Sequence, residues 1–436
     1  MPPRFHLLIA AQFTSALADN ALLIVTMALL AEQGQPAWWA PLLKFAFTLS
    51  YVLLAPWLGP LADAMPKARL MAWMNGVKLL GIGGLLLGLH PVAAYAVAGL
   101  GAAAYAPAKY GLVTELVPGP RLVAANGWIE VSIVGAALLG TVLGGALVAE
   151  PLRASALAQW AHALALAGDW PLASPLLVSL GGLLLTYALA ALLQLGVPDS
   201  GVRYPRATLH PLALVRDFRA ANRRLWRDGA GGLSLAVTTL FWGVGATLQF
   251  AVLRWAVERL GLRLDQAAYL QAVVALGVVA GAALAGRCVP LNQAMRVLPA
   301  GVALGSLIVL IALQDTLLPS LPLLALAGAV GGILVVPMNA LLQHRGHALL
   351  TAGRSIAVQG FNENLSILLM LGGYAALIAS EVPLVPLMSG FGLAVSAAMG
   401  WLIWRGRRAE VHAARSSLLD AAPKVRASPG PPPRGG

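Results

Sequence analysis

The sequence predicts an all-α integral membrane protein of twelve transmembrane helices, built as two pseudo-symmetric six-helix halves. Three observations carry that expectation: an apolar composition, apolar runs of spanning length along the whole chain, and an internal repeat in the same orientation. Of 436 residues, 59% are hydrophobic and 11% are charged, whereas a soluble domain carries about a quarter charged residues. Runs of roughly 20 apolar residues each suffice to cross about 30 Å of hydrocarbon. They fall near 5–30, 38–60, 69–89, 91–115, 122–149, 173–196, 232–256, 266–287, 297–314, 320–343, 355–379 and 383–404. The first holds an acidic residue in its middle and has no small-residue cleavage site after it, so it reads as a retained span.

The formal net charge of +12 raises nucleic acid as a partner, and its placement removes that reading. With the N-terminus inside, 22 of the 29 Lys and Arg fall on one side of the predicted membrane. Arg153, Arg259 and Arg263 fall on the other, and Lys44, Lys78, Lys109 and Arg254 lie within spans. The positive-inside rule accounts for this asymmetry and puts both termini in the cytoplasm of a multi-pass protein. The lone cysteine, Cys288, excludes an intramolecular disulfide.

Six spans, a basic segment and six more spans divide the chain into halves at 1–196 and 232–404. The linker, 197–231, contains "LVRDFRAANRRLW", which has the pattern of a short amphipathic helix with Leu214, Phe218 and Leu225 on its apolar side. The connection 150–172 is long enough to hold a surface helix. The tail, 405–436, ends in "SPGPPPRGG" and reads as disordered beyond its first turns.

The halves repeat. "RLVAANGWIEVSIVGAALLG" (121–140) matches "RSIAVQGFNENLSILLMLGG" (354–373), aligning Arg121 with Arg354, Gly127 with Gly360 and Glu130 with Glu363. The preceding spans align as well, setting Pro107 against Pro337 and Lys109 against Asn339. Between spans two and three, "GPLADAMPKARL" holds Gly59, Asp63, Lys67 and Arg69. Parallel halves of this kind and this loop resemble the major facilitator superfamily, and that resemblance implies the fold and a transport function. Asp63, negative on the positive side, is expected to bind helix-terminal N–H groups or a basic residue in one access state, which makes this loop a gate. Lys67 and Arg69 also serve topology.

Charge inside hydrocarbon is costly and marks function or a buried pair. Asp19 lies about 22 Å along its helix from Arg4, near mid-membrane, with Asn20 beside it. Lys109 sits toward the basic end of span four, and Pro107 bends that helix and frees carbonyls next to it. Three uses suit Lys109: neutralising Asp19 or Glu130, contacting substrate, or snorkelling. Asp19 and Lys109 are expected to face one central cavity, because spans one, four, seven and ten line it in the fold this chain resembles. Gln249 and Arg254 lie in span seven, and Asn126, Gln359, Asn362 and Asn364 surround Glu130 and Glu363. The two glutamates suit either proton carriage, since burial raises a carboxyl pKa, or fixed hydrogen bonding. Lys78 reads as structural or as part of a pore rim, and Lys44 is a weaker site candidate.

"AQFTSALADNALL", "GVKLLG", "GLGAAAYAPAKYG", "LFWGVGATLQF", "GGILVVPMNALLQHRG" and "IAVQGFNENLSILLMLGG" together are similar to the bacterial lysophospholipid transporters of that superfamily, from about residue 7 to 405. The resemblance implies a flippase of the bacterial inner membrane working by alternating access, with lysophosphatidylethanolamine the main substrate and no cofactor. It also implies an acyltransferase with acyl-carrier-protein synthetase activity as partner on the cytoplasmic face. The protein is expected to act as a monomer among membrane lipids. The chemistry agrees: Asp19 suits the ammonium and Lys109 the phosphate of the head group, with Asn20, Gln249, Arg254 and Asn362 as further substrate contacts. Asn126, Glu130 and Glu363 are coupling or structural polar groups. One position departs: the family carries arginine where this chain has Gln249, and Arg254 lies about 140° around the helix from it.

The alternative within transport is a proton-coupled exporter of amphipathic cations or drugs, using Asp19 and a glutamate. An embedded acyltransferase fits poorly. The seven histidines lie at span ends, loops or tail, none in an "HxxxxD" pair, and no phosphate loop or metal cluster accompanies them.

Overall fold

The computed structural model describes residues 3–35, 39–197, 199–202, 204, 210–262 and 264–421. Arg203, Arg206, Arg263 and the part of the tail read as disordered beyond 421 lie outside the described residues. Those described form helices and loops, with no strand among them.

The first bundle comprises α1 (Pro3–Glu32), α2 (Trp39–Leu53), α3 (Ala55–Ala64), α4 (Lys67–Leu86), α5 (Pro91–Leu116), α6 (Leu122–Val148), α7 (Glu150–Arg153), α8 (Ala156–Ala167) and α9 (Leu177–Leu195). A linker helix follows, α10 (Pro211–Arg227). The second bundle comprises α11 (Gly229–Glu258), α12 (Leu264–Cys288), α13 (Pro299–Ala312), α14 (Leu317–Leu349), α15 (Ala352–Ala379) and α16 (Leu384–Ala421). Helix α8 occupies the long 150–172 connection. Helix α16 runs past residue 404, where the last apolar run ends.

Among the described residues ten helices are long and apolar enough to span a membrane, and α2 with α3 makes an eleventh, bent by 66°. Pro56 follows that bend at the start of α3, where a missing N–H and a fixed φ break the ladder. Helix α4 fills the twelfth position between α5 and α9. It falls short on hydropathy because Lys67, Arg69, Asn75 and Lys78 lie on its 20 residues. Pro107 and Pro337 lie inside α5 and α14, as the repeat requires.

Within the first bundle α1 packs on α6 and α9, and α5 packs on α2 and α4; within the second, α12 packs on α14, α13 on α16 and α11 on α15. The bundles meet where α15 crosses α3 and α5, and where α6 crosses α12 and α14. Their cross-bundle hydrogen bonds concentrate at the arginine-rich face. Gly353 N–H donates to Asp63 Oδ1 at 2.9 Å, and the Thr351 hydroxyl donates to Asp63 Oδ2. Asp63 therefore sits on the N-terminal turn of α15, where backbone donors and the helix dipole favour an anion. Gly59 is obligatory beside it, since an added Cβ would stand 2.8 Å from Arg354 Cα. At the other crossing the Asn126 and Gln343 amides exchange two hydrogen bonds of 2.9 Å. Gly127 lies against Ala282 and Gly286, where an added Cβ would stand 3.0 Å from Ala282 O, a tight fit.

The linker reinforces this closed face. Lys67 Nζ is 2.6 Å from Glu115 Oε1 and 3.8 Å from Asp63. Ser200 and Tyr204 donate to the same Glu115 carboxylate at 2.5 and 3.0 Å. Burial together with that carboxylate pushes the Tyr204 hydroxyl above its ordinary pKa, so it stays a donor. Arg69 is exposed.

Candidate functional site

Beyond the closed face lies a central cavity of about 400 Å³, lined among others by Asp19, Asn20, Lys44, Lys78, Lys109, Tyr110, Trp242, Glu363 and Asn364. Its second-bundle wall is chiefly α15 with Trp242 of α11, which differs from the expectation that span ten lines it. On α14 the repeat-related Pro337 and Asn339 are buried in packing.

Asp19 and Lys109 do face one cavity, but they are not each other's partner. The ammonium of Lys78 lies 2.7 Å from Asp19 Oδ2 and donates to Ser15 Oγ at 2.9 Å. Tyr187 OH donates to Asp19 Oδ1 at 2.6 Å, and the Ser15 hydroxyl donates to Asn75 Oδ1 at 2.8 Å. Lys78 also lies 5.3 and 5.6 Å from the Tyr105 and Tyr187 ring centroids, at the range of cation–π attraction. A lysine 1% exposed requires a paired anion, and Asp19 is that anion. Of the two readings of Lys78, structural or pore rim, this pair agrees with the structural one, but its partner was not legible because α1 and α4 are distant in sequence. The one available signal was that α1 and α4 each carry a charge near mid-span, and the two signs are opposite.

Lys109 instead donates to Gln12 Oε1 at 3.2 Å and stands 4.3 Å over the Tyr110 ring. Gln12 Nε2 continues to Ser132 Oγ at 2.7 Å. Glu130, buried on α6, feels Lys109 as its opposing charge without forming one of the ion pairs within 4 Å. Lys109 is thus held by a neutral amide and an aromatic face, with its ammonium turned to the cavity. Gln12 and Ser132 had no sequence signal beyond being polar in apolar runs.

The repeat-related position on the other bundle differs in charge. Glu363 Oε1 accepts from Gln359 Nε2 at 2.8 Å, and the same nitrogen donates to Asn339 Oδ1 at 3.0 Å. Where the first bundle sets a lysine by its glutamate, the second sets an asparagine. Among the described residues no ion pair joins Glu363 to a cation. The cavity therefore offers the Lys109 ammonium from one bundle and the Glu363 carboxyl group from the other.

Three residues expected at the substrate lie elsewhere. Asn362 is one residue and about 100° from Glu363 and turns to the linker, donating to Asn222 Oδ1 at 3.0 Å and accepting from Trp226 Nε1 at 3.1 Å. Gln249 is two helical turns beyond Trp242, roughly 10 Å farther from the arginine-rich face. It lines a separate pocket of about 120 Å³ inside the second bundle, and its carbonyl accepts from Gln271 at 3.1 Å. Arg254 is higher still, in a 2.5 Å ion pair with Glu258 one turn on. Asn126 bonds across the bundles and Asn20 bonds Ala16 O at 2.8 Å from the cavity wall. No group of three or more possible metal ligands occurs among the described residues.

Two packed six-span bundles, a charged loop that caps a helix of the opposite bundle, and a central polar cavity define a secondary transporter, and the chain belongs to the major facilitator superfamily. The model of the Major Facilitator Superfamily matches residues 7–371. Within that superfamily the chain belongs to the lysophospholipid transporter family. It is 41% identical over 402 residues to Lysophospholipid transporter LplT of Escherichia coli O6:K15:H31 (strain 536 / UPEC), covering 92% of this chain and 95% of the relative. The Citrobacter koseri LplT is 42% identical over 404 residues, with the same coverage of both chains. The fold is shared with a bacterial homologue of the iron transporter ferroportin in an outward-facing state, at TM-score 0.71 and 13% identity over 93% of this chain and all of that one. It is shared also with the transporter FucP in its outward conformation, at TM-score 0.68 and 16% identity over 92% and 98% of the two chains.

Proposed function

We propose that this chain moves lysophospholipid, chiefly lysophosphatidylethanolamine, across the bacterial inner membrane to the cytoplasmic leaflet by alternating access. Residues 1–196 and 232–404 act as the two moving halves, 197–231 ties them together, and the arginine-rich face with both termini is cytoplasmic. The observation that carries the reading is the charge division of the cavity, Lys109 on one bundle and Glu363 on the other. A zwitterionic head group fits that division. Its phosphate takes Lys109, and its ammonium takes Glu363, because both oxygens of Asp19 are already held by Lys78 and Tyr187. Asp19 then fixes Lys78 and the wall, and Asn20, Tyr110 and Asn364 complete the surroundings. The acyl chain stays in apolar surroundings while the head group crosses. Consumption of the product by an acyltransferase with acyl-carrier-protein synthetase activity on the cytoplasmic side gives the net flux its direction, and one copy of the chain suffices.

The test is transfer of radiolabelled lysophosphatidylethanolamine from the outer to the inner leaflet of proteoliposomes, with diacyl lipid as control. Transfer selective for the lysolipid is expected, and its absence with a folded protein overturns the substrate. Glu363→Gln should cut transfer of lysophosphatidylethanolamine about tenfold or more, the worth of a charge-assisted bond, and spare lysophosphatidylglycerol, which lacks the ammonium. Equal losses on both lipids would remove Glu363 from head-group recognition.

The cap on α15 makes a separate prediction about cycling. Asp63→Asn keeps one acceptor for Gly353 N–H but removes the charge that suits the helix terminus, at a cost of about 1 kcal/mol. It should shift the balance of access states about fivefold and slow transfer, with equilibrium lysolipid binding unchanged. Loss of binding at full transfer rate would contradict a gating role.

A further inference from the structure

We propose that the arginine face of α10 is a binding site for the phosphates of anionic phospholipids in the leaflet on the arginine-rich side. Helix α10 carries Arg216, Arg219, Arg223, Arg224 and Arg227 against one acid, Asp217. Arg219, Arg223, Arg224 and Arg227 line an open concavity of about 750 Å³, together with Leu349 at the end of α14. All four are exposed, and none forms an ion pair or side-chain hydrogen bond among the described residues. The acid on the same concavity, Asp228, is already engaged. It accepts from Gly231 N–H at 2.7 Å and from Arg345 Nη2 at 2.6 Å, and that guanidinium holds its carboxyl below the usual carboxylate range.

Topology alone does not account for this arrangement. The positive-inside rule asks for basic residues anywhere in a short loop, whereas Arg219, Arg223 and Arg227 stack at i, i+4 and i+8, where like charges repel. The other side of the helix is pinned, so they cannot turn away. Leu214, Ala221 and Leu225 are buried, Phe218 meets Phe361 with ring centroids 5.3 Å apart, and Asn222 and Trp226 bond Asn362. An array of cations on a pinned helix, without internal counter-charge, attracts phosphate oxygens.

The position of α10 identifies lipid as the source of those phosphates. Its buried side lies on Pro56, Gly59 and Pro60 of α3 and on Arg354 and Ala357 of α15. Helix α3 exposes Trp57 and Leu61, and α10 itself exposes Leu212 to 75% at its start. The arginines therefore stand where the apolar wall of the bundle ends and the basic face begins, the level of the lipid phosphates. Occupancy would hold α10 against α15 and so favour the closed arginine-rich face.

Thermal unfolding of the purified full-length chain in neutral detergent tests this without any lysolipid. Phosphatidylglycerol, phosphatidylcholine and inorganic phosphate are titrated in parallel. Saturable stabilisation by phosphatidylglycerol is expected, since a ligand of the folded state raises its apparent Tm. A basic residue near an anionic surface contributes about fivefold to binding, so Arg223→Gln with Arg227→Gln should weaken that response about 25-fold. Arg259→Gln, on the opposite face, should leave it unchanged. Arg223→Lys with Arg227→Lys, which keeps the charge, should retain most of the response even if the glutamine pair unfolds. An unchanged response in the glutamine pair, a lost response in the lysine pair, or equal stabilisation by phosphatidylcholine overturns the site. Equal stabilisation by inorganic phosphate overturns the lipid as its occupant.

Discussion

Lys109→Ala is expected to abolish lysophospholipid transfer and to leave a folded, inserted protein. The structural reason is that, among the described residues, Lys109 has one hydrogen-bonding side-chain partner, the neutral Gln12, at 3.2 Å. Removing it strands one amide oxygen, at a cost of about 1–3 kcal/mol, and strands no ion pair within 4 Å. Lys109 is buried nonetheless, 8% exposed as a residue, so a phosphate reaching it meets a cation that has already given up much of its water. A charge-assisted bond in such a place is worth about 1.5–3 kcal/mol, or roughly 10- to 150-fold in affinity. The check is transfer and binding of lysophosphatidylethanolamine by wild type and variant at equal folded protein, with melting in detergent as the measure of folding. Transfer at the wild-type rate would remove Lys109 from the substrate path. A melting temperature lowered as far as that of an ion-pair variant would make its role structural.

Lys78→Met is expected to do the opposite: it destabilises the protein itself. Buried Lys78 pairs at 2.7 Å with the part-buried Asp19, and deleting one member of a fully buried pair costs about 3–5 kcal/mol, an upper bound here, because the other charge is left without compensation. Methionine fills the volume of the lysine stem, so a cavity contributes little to the loss. Adding Asp19→Asn should recover much of the lost melting temperature, since an amide can still accept from Tyr187 OH and carries no charge. Thermal unfolding of both single variants and the double variant forms a cycle whose coupling energy should reach ~2 kcal/mol or more for residues in direct contact. Simple additivity would mean that Lys78 and Asp19 act independently. The contrast between Lys109 and Lys78, one held by an amide and one by a carboxylate, separates a cation available to substrate from a cation committed to structure.

The bilayer explains why so much of the architecture is legible in one chain. Hydrocarbon obliges each span to be a long apolar helix, so runs in the sequence map onto helices in the fold, the run at 69–89 onto α4 included. The repeat of 121–140 in 354–373 places Glu130 and Glu363 in matching positions, and the loop holding Asp63 announces a contact with a helix terminus. That contact is present at Gly353.

Partner choice inside the membrane was not legible. A one-dimensional reading sees Asp19, Lys78 and Lys109 as one acid and two bases in three spans and cannot say which base the acid takes. The choice depends on where α1, α4 and α5 touch, a matter of helix rotation and height settled by packing. Rotation likewise turned Asn362 from the cavity to the linker, and height carried Gln249 and Arg254 above it. Composition and repeat are enough to place buried charges in a two-bundle transporter; helix packing then commits Lys78 to Asp19 and leaves Lys109 and Glu363 facing the cavity from opposite bundles. Charges in a low-dielectric interior are governed by distances of a few ångströms, and those distances are set by the packing of helices far apart in the chain.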